Sequence, residues 1–207
     1  MKRRMYSTAI IILAAFAAAC SSGNDVSSSS APPAASVSVA PTANAAKSDS
    51  AKGDDIPAAV RTAFPTAQSL TKQHKDLTEA QVASLEKQSG AKLADKDHHS
   101  YLAFANEGGT RKQIGAATVV KAEGRELVVV YGSEKGSPVI NEIHGESGGI
   151  PHAFLDQFKG KGHDNKLRLG QDIKAQGVDE ATARALTDAI RLDVVTMQTL
   201  YGAAHSH

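Results

Sequence analysis

Tryptophan is absent from this chain, cysteine occurs once, and aromatic residues make up only 4% of it. A single cysteine closes no disulfide within the chain and supplies neither a cysteine-rich zinc site nor a haem-attachment motif. With so few aromatics, a core must rest on Val, Ile, Leu and Ala. The formal charge is +1 over 207 residues, and nothing points to a nucleic-acid partner. No P-loop, dinucleotide fingerprint or nucleophile elbow occurs, and no internal repeat is visible.

What is present begins with a cationic opening, Lys2, Arg3 and Arg4, followed by an apolar run from Ala9 through Ala19 and then Cys20. The run is too short for a membrane span and reads as a secretory signal peptide over 1–19. Ala17-Ala18-Ala19-Cys20 resembles a bacterial lipobox. Cys20 would then be lipidated and become the first mature residue; the alternative is an ordinary signal peptide cut near Ala19, leaving a free thiol. Losing the three cations takes the net charge from +1 to −2. Residues 20–54 are Ser, Ala and Pro with almost no large apolar side chain, so they cannot offset ordering entropy and are expected to form a disordered linker. Residues 55–207 are long enough for one domain. The expected location is the bacterial cell envelope, lipid-anchored on the periplasmic side of the outer membrane.

Within the domain, Ile56 to Phe64 reads as a short helix broken before Pro65. Thr78-Glu79-Ala80-Gln81 has the capping-box pattern and launches a helix to about Gln88, stopped by Ser89-Gly90. Alternation then replaces the helical period. Ser100–Ala105, Gln113–Lys121, Glu126–Tyr131 and Val139–His144 read as strands whose short connections favour antiparallel neighbours. The run Leu127 to Tyr131, apolar on both faces, is expected at the centre of the sheet. A last helix should start at Asp179 and run to about Tyr201, with Ala181, Ala185, Leu186, Ala189, Ile190, Val194, Met197 and Leu200 as its apolar stripe. The fold class is α+β: a twisted antiparallel sheet of about four strands with flanking helices.

The stretch Gly145 to Ile173, GESGGIPHAFLDQFKGKGHDNKLRLGQDI, carries most of the composition that suggests a ligand. Pro151 can open a short helix through Phe158. Lys159, Lys161, Lys166 and Arg168 then surround Gly160 and Gly162, a composition suited to an anion such as phosphate. The plainer reading is a solvated basic loop.

Glu146-Ser147-x-Gly149, Phe154-Leu155-Asp156-Gln157-Phe158-Lys159-Gly160-Lys161 and Leu167 through Ile173 resemble the FMN-binding-domain family, which includes flavin-bearing subunits of the sodium-pumping NADH:quinone reductase and Rnf complexes. Weaker similarity runs from about Leu77 to about Arg191. The resemblance implies a twisted antiparallel sheet with helices around it, FMN as cofactor, and electron transfer with periplasmic or membrane redox proteins. It places the isoalloxazine ring over the Glu146 to Ile150 turn. Glu146, Ser147, Gly149, Lys161, Arg168, Lys174, Gly177 and Thr182 are the candidate cofactor-binding residues.

The chain departs from the family at the attachment segment, where an Asp-x-x-Ser-Gly-Ala-Thr run carries the threonine esterified to FMN phosphate. Aligned without a gap, that threonine falls on Glu180, which cannot form the ester. Sliding two residues brings Thr182 onto it but puts Gln176, Asp179 and Glu180 at the aspartate, serine and glycine. Either register breaks the signal, so FMN is expected to bind without a covalent bond. A cofactor-free scaffold or partner-binding protein that keeps the fold is the alternative, and an enzyme with its own substrate ranks behind both. Of the eight histidines, neither the His98-His99 pair nor the terminal His205 and His207 comes with Cys, Asp or Glu at recognised ligand spacing, so no structural metal site is expected, only adventitious divalent binding by the tail; His144, His152 and His163 near the glycine-rich stretch could hydrogen-bond a ligand or be plain turn residues, and no catalytic group is expected.

Overall fold

The computed structural model describes residues 55–145 and 149–202. The signal peptide, Cys20 and the linker, together with Glu146 and Ser147, lie outside the described residues. Among those described, no helix is long and apolar enough to cross a membrane.

The elements run α1 (Ala58–Ala63), β1 (Ser69–Asp76), α2 (Glu79–Ser89), β2 (Asp97–Glu107), β3 (Thr110–Ala122), β4 (Arg125–Glu134), β5 (Ser137–Gly145), α3 (His152–Leu155) with a 3-10 turn at Asp156–Phe158, and α4 (Glu180–Tyr201). The sheet is an antiparallel meander in the order β1-β2-β3-β4-β5. The α+β class holds, with five strands instead of four. The strand that sequence reading missed is β1. It lies at the sheet edge and none of its residues is buried, so SLTKQHKD carries no apolar period and is held by its backbone ladder to β2.

Hairpins β2–β3, β3–β4 and β4–β5 are closed by Gly108-Gly109, Glu123-Gly124 and Lys135-Gly136, each with positive φ at both residues. Such turns match the twist of the flanking strands. The stretch between the strands expected at Glu126–Tyr131 and Val139–His144 is thus a two-residue turn with strand on either side.

Both faces of the sheet are covered. Leu127, Val129 and Tyr131 point towards α4, while Val128 and Val130 point towards Val60 and Phe64 of the α1 segment. This explains the unbroken apolar run in β4, which stands next to the edge instead of at the centre. A register shift opposite Val130/Tyr131 leaves Asn141 without a partner in the ladder. The extra residue lets Ile140 and Ile143 both face the larger core.

The capping box forms as read: Thr78 N–H donates to Gln81 Oε1 at 2.9 Å, and Gln81 N–H donates to Thr78 Oγ1 at 3.3 Å. Gly90 ends α2 in the left-handed region. Asp179 caps α4, accepting the Thr182 N–H at 2.9 Å. The buried stripe of α4 is Ala183, Leu186, Thr187, Ile190, Val194, Val195, Thr196 and Met197. Ala181 is exposed, and Ala183 takes the inward position.

Candidate functional site

The 159–173 loop is built from backbone pairing. Gly160 N–H donates to the Ile140 carbonyl at 2.7 Å and Ile140 N–H donates to the Lys161 carbonyl at 2.8 Å, so the loop docks on the outer edge of β5. Leu167 is fully buried with φ of 47°, a conformation that side chains rarely adopt. Asp172 holds it there, its carboxylate accepting the N–H groups of Leu167 and Arg168 at 2.9 and 2.8 Å. Burial pushes the Asp172 carboxyl up, but backbone donors at Arg168, Leu167 and Asp172 itself, with Lys161 nearby, outweigh it and hold the carboxyl below the usual range.

The candidate residues separate into two places. Arg168 lines an open cavity of about 450 Å³ together with Lys166, Arg191, Gln88, Asn165 and Gln171. That composition suits an oxyanion, but the Arg191 guanidinium is already engaged with the carbonyls of Ser89 and Gln88 at the end of α2. Thr182 stands nine residues before Arg191 on α4, or about 14 Å along the axis at 1.5 Å per residue. The second group therefore forms at the N-terminal end of that helix, away from its middle.

There, Gly149 has φ of 96° and Gly177 has φ of 71°. A Cβ on Gly177 would lie 2.9 Å from Pro151 Cγ. The turn that opens α3 thus presses directly on the segment that leads into α4, and only glycine permits it. Gln157 fixes the same segment, donating to the Lys174 carbonyl at 2.9 Å and accepting the Lys174 N–H at 2.8 Å. The Lys174 side chain itself is exposed. A cation that the sequence reading missed stands here: a Cβ on Gly149 would lie 3.4 Å from an Arg125 guanidinium nitrogen. Arg125 opens β4, far from the turn in sequence, and no local signal links the two.

The helix start is occupied by the chain's own carboxylate. Asp179 is held below its usual range by the backbone N–H and the hydroxyl of Thr182. Glu180 is exposed and pairs with Arg184 at 3.0 Å. A phosphate does not fit that position, because an anion already takes the N–H groups it would need.

A further polar cluster lies between the sheet and the second half of α4. The Asp193 Oδ2 atom accepts hydrogen bonds from Thr118 Oγ1 and the Tyr131 hydroxyl, both at 2.6 Å. Burial raises the Asp193 carboxyl above its usual range, against the opposing pull of His98 and the two hydroxyls. His98 is pushed down, first by burial, and its Nε2 has no hydrogen-bond partner among the described residues. Tyr131 also lines an open groove of about 560 Å³ with Lys75, Leu102, Met197 and Tyr201. Lys75 donates to the Leu200 carbonyl at 2.8 Å and stands 3.8 Å over the Tyr201 ring.

Comparison with known proteins adds no name to this geometry: no protein-family model, no curated protein and no solved structure matches the chain.

Proposed function

We propose that the chain is an envelope lipoprotein, anchored through Cys20, whose domain binds FMN non-covalently and carries electrons between membrane and periplasmic partners. The observation that carries this reading is the contact of Pro151 with Gly177. The turn after Gly149, beside residues that resemble the family's ring-binding turn, meets the segment that stands at the family's attachment position, where this chain departs from it, at the start of α4.

The residues fit the group in part. Gly149 leaves backbone open to a flat ring, and the Arg125 guanidinium beside it offers a cation for a phosphate or for the ring's electron-rich edge. The start of α4 does not accept a phosphate, for the reason given above. Neither Glu180 nor Thr182 sits in a setting suited to a phosphoester, so the flavin is held by contacts alone. FMN, when bound, supplies the electron-accepting and electron-donating chemistry; the protein supplies orientation and charge. A second reading, a cofactor-free scaffold with this fold, is favoured by one observation: Asp179 fills the anion position at the helix start.

Titration of FMN into the full chain, followed by flavin fluorescence, separates the two. Saturable quenching at one FMN per chain, weakened at least tenfold by Arg125→Ala, supports the redox module. Absence of quenching at high micromolar FMN selects the scaffold.

A further inference from the structure

The face of the sheet on which α1 packs carries a second constellation, near the far ends of β1 and β2. Register pairs His74 with His99 and Asp76 with Asp97. Residues two apart on a strand share a face, so the four side chains form a square, two imidazoles above two carboxylates. His74 and His99 stack with centroids 5.2 Å apart. The His74 Nε2 atom lies 2.5 Å from Asp97 Oδ1 and 3.2 Å from Asp76 Oδ1, and His99 Nε2 lies 3.7 Å from Asp97 Oδ2.

This arrangement is poorly satisfied by the protein alone. Two carboxylates directly opposite each other repel. A single N–H on His74 Nε2 cannot serve two carboxylate oxygens that converge on it from neighbouring strands. One divalent cation can take a single ligand atom from each of His74, Asp97 and His99, whose donor atoms converge.

We propose that His74, His99 and Asp97 form a binding site for a first-row divalent cation, zinc foremost. One ligand atom from each of His74, Asp97 and His99 lies within 4.8 Å of the others, so small rotations about the side-chain torsions bring them to the roughly 2.0–2.2 Å that zinc requires of imidazole nitrogen and carboxylate oxygen. Two imidazoles with one carboxylate match the preference of zinc for mixed nitrogen and oxygen donors, whereas magnesium and calcium favour oxygen alone. The site joins the edge strand to its neighbour, so the metal clamps β1 onto the sheet. It is independent of the flavin reading.

The test uses the full chain with His205→Ala and His207→Ala, which removes terminal imidazoles capable of adventitious binding. Zinc is titrated against a chromophoric chelator after metal removal. The expected result is one zinc per chain, with affinity reduced at least a hundredfold by His74→Ala or His99→Ala and unchanged by His163→Ala. Cobalt substitution supplies a second readout: the visible absorption of a four-coordinate site, altered in Asp97→Asn. Circular dichroism of each variant without metal confirms that it folds. Binding weaker than 100 µM, or binding equal in the His74→Ala and parent chains, overturns the proposal.

Discussion

Replacing Tyr131 with phenylalanine isolates one hydrogen bond in the part-buried polar cluster between the sheet and α4. Tyr131 and Thr118 are 2% and 1% exposed, and both hydroxyls donate to Asp193 Oδ2 at 2.6 Å. Phenylalanine keeps the ring and its packing, so the change removes only the donor. A hydrogen bond to a charged acceptor contributes about 1.5–3 kcal/mol, which for a domain of this size corresponds to a fall of roughly 3–12 °C in Tm. Thr118→Val should cost a similar amount. The double variant should cost less than the two together, because a carboxylate that has lost both donors takes up a proton and is then buried neutral. The pH dependence carries a sign. Asp193 titrates above its usual range in the folded state, so its protonated form is the one that folding favours. The Tyr131→Phe penalty should be largest above that raised pKa, where the carboxylate is ionised, and should shrink as the pH falls through it. Urea unfolding followed by far-ultraviolet circular dichroism at several pH values measures both effects. A penalty below about 0.5 kcal/mol, or one independent of pH, would refute the assignment of Asp193 as a charged acceptor.

Two further substitutions test how the candidate site is held. Asp172→Ala leaves the N–H groups of Leu167 and Arg168 without their acceptor and should cost about 1–3 kcal/mol. Because the Asp172 carboxyl is held below its usual range, its contribution is present above pH 3.8 and is lost as the pH falls through the lower folded value; the Asp172→Ala chain should lack this acid-dependent step in urea unfolding. Gly177→Ala forces a side chain into the left-handed region at about 1–2 kcal/mol and onto Pro151; it should also weaken FMN binding, and an unchanged flavin affinity would detach the Pro151 contact from function.

The sequence showed what local chemistry dictates. Thr78 and Gln81 cap α2 because the pattern is complete within four residues, and the glycine turns between strands were visible for the same reason. β1 was hidden because an edge strand with no fully buried residue needs no apolar alternation. Nothing local in the sequence pairs His74 with His99, because their meeting depends on register between strands 25 positions apart. β2 begins at Asp97, three residues before the strand start expected at Ser100, so His98 and His99 lie within it. Asp193 did leave a trace: it stands three residues after Ile190 and four before Met197, so the helical stripe itself places a carboxylate on the buried face. Arg125 left none, since only the folded chain brings it to Gly149.

The central claim is that this chain holds FMN without a covalent bond. The direct measurement is intact mass and visible absorbance of the full chain, co-expressed with a flavin transferase, supplied with FMN and passed through gel filtration before and after denaturation. The account predicts flavin absorbance that travels with the native protein, departs on denaturation and adds no mass. A mass increase of one FMN, or native protein without flavin, would contradict it.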